Sequence, residues 1–259
     1  MTTAKTLVAI RAVSHRFGAD GAGVAALDAI DLEVPDGEFV AIVGPSGCGK
    51  STLLSLVAGL RLPSRGTVLC DGERITGPMP RKVGMVFQEP NLLPWLSAVD
   101  NVAFPLKLRH VPKAERRDAA KRMLALTGLV GFEDKLPHQL SGGMKQRVSI
   151  ARGLVQDPAV LLMDEPFAAL DEQTRMLLGD ELLRIWSETR KTVLFVTHSL
   201  NEAVYLADRV IVLSARPGRI VDDVAVDLPR PRTFAMTSSE RFGVLKERIW
   251  QHIRRAERP

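Results

Sequence analysis

The feature that most constrains this chain is the stretch Gly44-Pro45-Ser46-Gly47-Cys48-Gly49-Lys50-Ser51, set directly after the apolar run Phe39–Val43. It matches G-x-x-x-x-G-K-[ST] in the context that motif needs, a buried strand before it and a helical pattern, Ser51–Leu60, after it. The glycines let the backbone curl so that successive amides point inward at phosphate oxygens. The helix that follows adds its positive N-terminal end. Lys50 is placed to reach β- and γ-phosphates, the Ser51 hydroxyl to ligate Mg²⁺, and Thr52 to lie near the phosphates. The motif by itself specifies a nucleoside triphosphate and does not choose among the many enzyme classes that use one.

A second apolar run, Val160-Leu161-Leu162-Met163, ends in Asp164-Glu165-Pro166. A buried strand delivers its last residues to the carboxyl edge of its sheet, where ligands bind in such folds. Asp164 is then positioned to hold Mg²⁺ through water. Glu165 is positioned to polarise an attacking water as a general base. Alone, an Asp-Glu pair after a strand reads as an ordinary polar turn; together with the phosphate loop it reads as a catalytic pair.

Further buried-strand patterns lie at Val83–Phe87, Thr192–Thr197 and Val210–Leu213, with helical stretches between several of them. That alternation predicts an α/β fold with a mostly parallel sheet, a P-loop core. Leu7–Phe17 and Val24–Val34, around the glycine-rich loop Gly18–Gly23, predict an N-terminal antiparallel β subdomain. The segment 89–157 reads as an α-helical insertion between core segments 7–88 and 158–227. Within it Ser97–Arg109 and Pro112–Gly128 are helical, with Pro112 suited to a helix start and Gly128 to a stop. Short strands are expected from Ala215 to about Asp227. The proline-rich linker Pro229-Arg230-Pro231 leads to an amphipathic helix at about 238–255, with Phe242, Leu245, Ile249 and Ile253 on one face.

The bulk numbers set limits. The 259 residues suffice for one large core, and 46% apolar with 25% charged residues is globular composition. The net charge of +5 is compatible with nucleotides, nucleic acid or an anionic membrane surface, but it is spread along the chain as a solvated surface would spread it, and no nucleic-acid partner is expected. The two cysteines, Cys48 and Cys70, have no metal-ligand spacing, which argues against zinc and for a reducing compartment. No signal-peptide pattern precedes Phe17, and the longest apolar runs fall far below the ~20 residues that span a bilayer.

The sequence Leu140-Ser141-Gly142-Gly143-Met144-Lys145-Gln146-Arg147 precedes a helical stretch, Val148–Gln156. Ser141 with Gly142 and Gly143 at a helix start forms a second anion-binding cap. One triphosphate seldom needs two such caps from one subunit. Two copies meeting head to tail, each offering its cap to the triphosphate held by the other, make sense of both.

With this motif the chain resembles the ABC-type ATPases. Leu140–Met144 is similar to the family's LSGGQ signature, with Met144 in the last place. The resemblance spans about residues 7–225 and implies further roles. Gln88 matches the loop glutamine that senses Mg²⁺ and the attacking water. Asp171 matches the aspartate that communicates across the dimer, and His198 the switch histidine at the γ-phosphate. Phe17 matches the aromatic that stacks on adenine. ATP and Mg²⁺ are the implied cofactors, with Lys50, Gln88, Glu165 and His198 catalytic.

The implied partners are a second copy, an integral-membrane permease and an extracytoplasmic solute-binding protein, with this chain peripheral on the cytoplasmic side of the inner membrane. In the family, the segment here spanning Glu89–Pro105 receives cytoplasmic helices of the permease, and an exposed Leu92-Leu93-Pro94-Trp95 stretch suits docking. That stretch, Met144–Arg147, and Ser214-Ala215-Arg216-Pro217-Gly218-Arg219-Ile220 are similar to the nitrate, sulfonate and taurine importer ATPases. An ABC-type ATPase of a DNA or translation system is the alternative. It lacks here the long coiled-coil insertion, tandem head or zinc module of such relatives. A P-loop kinase or GTPase leaves Leu140–Gly143 and His198 unexplained, and a non-enzymatic subunit leaves Lys50, Asp164 and Glu165 unexplained.

Overall fold

The computed structural model describes residues 5–18 and 23–256; most of the expected Gly18–Gly23 loop, residues 19–22, lies outside them. The chain opens with β1 (Thr6–Phe17), β2 (Val24–Pro35) and β3 (Phe39–Val43), then α1 (Lys50–Val57), β4 (Arg65–Cys70) and β5 (Glu73–Arg74). Next come β6 (Val83–Val86), α2 (Ala98–Leu108), α3 (Lys113–Leu126), α4 (Gly142–Leu154), β7 (Val160–Asp164) and α5 (Glu172–Thr189). The final stretch holds β8 (Thr192–Val196), α6 (Leu200–Leu206), β9 (Arg209–Leu213), β10 (Ile220–Ala225) and α7 (Glu240–Ala256). Contacts divide the chain into two compact units, Met1–Met79 with Arg190–Pro259, and Pro80–Thr189.

The first unit carries an antiparallel sheet of order β2-β1-β4-β5. Its long hairpin is bulged rather than regular. Ala12 and Ala29 take positive φ of 47° and 49°. Their amides are satisfied from the partner strand, Ala12 N–H donating to Asp31 at 2.8 Å and Ala29 N–H to Ser14 Oγ at 3.0 Å. Such bulges re-aim a strand. The same unit holds the strand series β10-β9-β3-β8. There β3 is parallel to both β8 and β9, and β10 is antiparallel to β9. Every residue of β3 and β8 is buried, as continuous apolar parallel strands require.

The C-terminal segment belongs to this unit. Phe242, Leu245, Ile249 and Ile253 of α7 are buried, so the helix packs on its own unit through the face expected for it. The proline-rich stretch before it is a strap rather than a loose linker. Buried Arg232 donates to the carbonyls of Val204, Tyr205 and Ala207 at the end of α6. Burial, with the nearby charge of Arg230, lowers its pKa to about 10. One strand, β10, stands where several short ones were expected.

In the second unit β6 and β7 run parallel, Val83 opposite Val160 and Val86 opposite Met163. The helices α2, α3 and α4 share a core that includes Val99, Val102, Leu106, Leu124, Leu140 and Val148. The chain between β6 and β7 is thus helical, packed around one core. The helix expected over Val148–Gln156 starts earlier, at Gly142, because Ser141 caps it and its first-turn glycines are held by packing.

Candidate functional site

The first unit supplies one set of functional groups. Because β3, β8 and β9 are parallel, their carboxyl ends meet at one edge. The loop after β3 turns there on Gly44, Gly47 and Gly49, with φ of 156°, 73° and 106°. A Cβ at Gly49 would lie 2.8 Å from the backbone oxygen of Ala26, and its φ is in the left-handed region, so only glycine fits that close approach. Lys50 is buried, and its ammonium donates to Gly44 O at 2.9 Å and Pro45 O at 3.0 Å. The Cys48 N–H also reaches Pro45 O, at 3.3 Å. Two donors of the loop thus converge on one acceptor. The Ser51 side lies open in the first turn of α1, with Thr52 half-buried beside it. Burial pushes the Cys48 thiol pKa up, against the opposing charge of Lys50, so it stays a neutral filler.

His198 follows β8 at the same edge, exposed. Its neighbours are fixed. The Thr197 N–H donates to Ile42 O at 3.3 Å, and the Thr197 hydroxyl accepts from Ser199 N–H at 2.9 Å and donates to Glu202 at 2.5 Å. Phe17, at the end of β1, is 38% exposed. The Arg61 guanidinium sits 4.9 Å from its ring centroid, and the buried His15 ring meets it edge-on at 4.8 Å. Burial lowers the His15 pKa, which keeps that ring neutral. Arg61 is a neighbour that sequence patterning did not point to.

The second unit supplies the other set. The register of β6 and β7 brings Gln88, two residues past Val86, and Glu165, two past Met163, to one edge beside Asp164. Gln88 is exposed, while Asp164 and Glu165 are half-buried. Glu165 has φ of 45°, a left-handed backbone that costs a non-glycine residue about 1 kcal/mol or more. The turn behind it holds that conformation: Ala168 N–H donates to Glu165 O at 3.1 Å, and Phe167 is buried.

Ser141 caps α4, its hydroxyl accepting from Met144 N–H at 3.3 Å. The Gly142 and Gly143 amides form the first turn of that helix. Gly143 lies against α5, where a Cβ would come within 2.8 Å of Thr174 Cγ2. Thr174 is held in turn by Asp171, whose carboxylate accepts from its amide at 2.9 Å and its hydroxyl at 2.7 Å. These two bonds hold the Asp171 pKa below the usual carboxylate range. Asp171 is thus a helix cap that also fixes the neighbour of the Ser141 turn.

The Leu92-Leu93-Pro94-Trp95 stretch splits between two roles. Leu92 packs on the helical core of this unit, whereas Trp95 is 72% exposed. Asn101, fully buried, sets this turn. Its amide donates to Leu93 O, Leu96 O and Ser97 O, and its carbonyl accepts from Leu93 N–H at 2.8 Å. Arg152 secures the preceding residues through Pro90 O and Asn91 O. Asn101→Ala is expected to lower stability by about 2–4 kcal/mol, because a buried backbone donor and several acceptors lose their partner. Thermal unfolding checks this, and an unchanged midpoint would contradict it.

Residues 27–168 match the ABC transporter family. The chain belongs to that family. An uncharacterized ABC transporter ATP-binding protein of Methanocaldococcus jannaschii is 54% identical over 255 residues, covering 96% of this chain and 95% of that protein. The aliphatic sulfonates import ATP-binding protein SsuB of Bacillus cereus is 43% identical over 248 residues, 96% of each chain. The dimeric structure of a post-hydrolysis state of an ATP-binding cassette bound to ADP and Pi superposes with TM-score 0.76 at 34% identity, over 86% of this chain and 100% of that one. The ABC fold seen here, an antiparallel sheet with a mostly parallel sheet and helices, is that of the cassette. The chain is an ABC ATP-binding subunit and an ATPase of that family. Among the described residues no helix is long and apolar enough to cross a membrane.

Proposed function

We propose that this ABC ATPase works as a homodimer on the cytoplasmic face of the inner membrane of a bacterium and energises an importer of a small solute, namely nitrate, a sulfonate, taurine or a related molecule. The observation that carries the reading is the 43% identity, over nearly the whole chain, to a protein named for aliphatic sulfonate import. A permease would receive the motion, and an extracytoplasmic binding protein would choose the solute. Trp95, exposed on a turn pinned by Asn101, is the side chain best suited to meet the permease.

In this reading the Gly44–Ser51 loop cradles the triphosphate through the Gly44, Pro45, Ser46, Gly47, Cys48 and Gly49 backbone. Lys50 exchanges its bonds to the Gly44 and Pro45 carbonyls for phosphate oxygens. Phe17 stacks on adenine. The Ser51 hydroxyl, the Gln88 amide oxygen and the Asp164 carboxylate are hard oxygen donors, the set Mg²⁺ prefers, and they would hold it. When bound, that ion spreads the charge developing on the phosphates. Glu165 takes a proton from the attacking water, while Gln88 and His198 orient it at the γ-phosphate. Ser141, Gly142 and Gly143 of the partner subunit close the site from the far side, and Asp171 keeps that cap in place. Hydrolysis then removes the shared ligand, and the dimer opens.

Disabling this subunit in its host is expected to stop uptake of the solute. Cells carrying Lys50→Ala should fail to accumulate labelled sulfonate or nitrate, and uptake of all such solutes at the normal rate would overturn the importer reading. Ser141→Arg is expected to remove turnover while leaving ATP binding by the isolated monomer intact, measured by calorimetry. Lost binding in the monomer would mean that the cap acts on its own chain's nucleotide.

A further inference from the structure

The turn Ser214–Arg219 between β9 and β10 has no part in the reaction described above, yet it lies against the phosphate loop. Arg216 reaches across to Gly47, with Nε and Nη2 both donating to its carbonyl at 3.2 and 3.0 Å. The turn is itself well anchored. Ser214 Oγ donates to Pro217 O at 3.0 Å and accepts from Arg219 N–H at 2.9 Å. Gly218 N–H donates to Ala26 O at 2.9 Å, and Asp28 N–H donates to Gly218 O at 3.0 Å. A Cβ at Gly218 would fall 2.2 Å from Cys48 O, so the two backbones meet directly.

Planarity of the peptide gives this contact a consequence. The Gly47 carbonyl and the Cys48 N–H belong to one plane and point to opposite sides. With the carbonyl drawn outward by Arg216, the Cys48 N–H is turned inward, where it meets Pro45 O together with the Lys50 ammonium. The guanidinium therefore sets the direction of a donor inside the cradle without itself entering it.

We propose that Arg216 is a positioning residue for nucleotide binding: by clamping the Gly47 carbonyl it preorganises the phosphate loop and sets the affinity of this chain for ATP. The inference rests on the reading of Gly44–Ser51 as the ATP cradle. A preorganised loop loses less freedom when the ligand arrives, so the clamp acts on binding rather than on the chemical step.

The experiment compares wild type, Arg216→Ala and Arg216→Lys as full-length chains, with Mg-ATP affinity by calorimetry, KM and kcat for ATP hydrolysis, and thermal unfolding. Arg216→Ala, which removes both hydrogen bonds to the Gly47 carbonyl, is expected to raise Kd and KM about five- to tenfold, because the clamp acts on the loop and not on the ligand, with kcat and the unfolding midpoint close to wild type. Arg216→Lys is expected to recover part of the affinity, since it keeps a charged donor without the fork. Wild-type affinity in Arg216→Ala would overturn the proposal. So would a joint fall of kcat and unfolding midpoint at unchanged KM, which marks a merely structural residue. Failure of the wild-type chain to bind ATP would instead overturn the underlying reading of the loop, and the proposal with it.

Discussion

Replacing Lys50 by alanine is expected to abolish ATP hydrolysis, lowering turnover by at least about 10²-fold, the scale seen when a preorganised group facing developing charge is removed. The structure supplies the reason for so large an effect. The ammonium is buried and held by two carbonyls of its own loop, so its position is fixed before any nucleotide arrives. A phosphate that enters replaces those carbonyls as acceptor and gains a full charge at little reorganisation. Alanine leaves Gly44 O without the ammonium and Pro45 O with only the Cys48 N–H, and the two carbonyls would repel phosphate oxygens. A colourimetric phosphate assay on the purified chain checks the prediction. Normal turnover would remove the phosphate-loop assignment.

Glu165→Gln is expected to slow hydrolysis by about 10²–10⁴-fold, the contribution of a positioned general base. It should also trap an ATP-bound dimer, because the change removes a base and leaves a side chain of the same shape. The backbone argues for a specific duty here. Glu165 sits at φ 45° in a turn that Ala168 and buried Phe167 enforce, a conformation without benefit to the strand it follows. Sizing chromatography with ATP reads the outcome directly. A mutant that stays monomeric with ATP would count against the shared site.

The parts of the fold legible in the sequence are those whose burial is uniform. Phe39–Val43 and Val160–Asp164 are strands to the residue, because a parallel strand covered on both faces is an unbroken apolar run. The apolar stripe of α7 was equally plain from its spacing. By contrast, β4 and β5 carry no such run. Arg65-Gly66-Thr67 opens β4 with no apolar pattern, and its strand character comes from pairing with β1. The start of α4 lies earlier than its sequence suggests because Gly142 and Gly143 carry low helix propensity, which tertiary contact with Thr174 overrides.

The site divides in the same way. Motif residues announce themselves by spacing, and Lys50, Asp164, Glu165, Ser141 and His198 all lie at or next to element ends. Residues that hold those motifs do not. Asn101, Arg152 and Arg216 act on backbone carbonyls, which leave no mark in a sequence, and Arg216 lies 169 positions from Gly47. The sequence resemblance implies a dimer role for Asp171, and the structure shows it as a cap on α5, a duty an aspartate before a helix regularly carries. The Leu-Leu-Pro-Trp stretch was legible only in part, since nothing in its composition separates Leu92, which faces the helices, from Trp95, which faces out.

The most direct test of the shared-site account is a crystal structure of the Glu165→Gln chain with ATP and Mg²⁺. The account predicts that the γ-phosphate held by Lys50 of one subunit accepts a hydrogen bond from Ser141 of the other. A triphosphate on the Lys50 loop with no partner Ser141 beside it would contradict it.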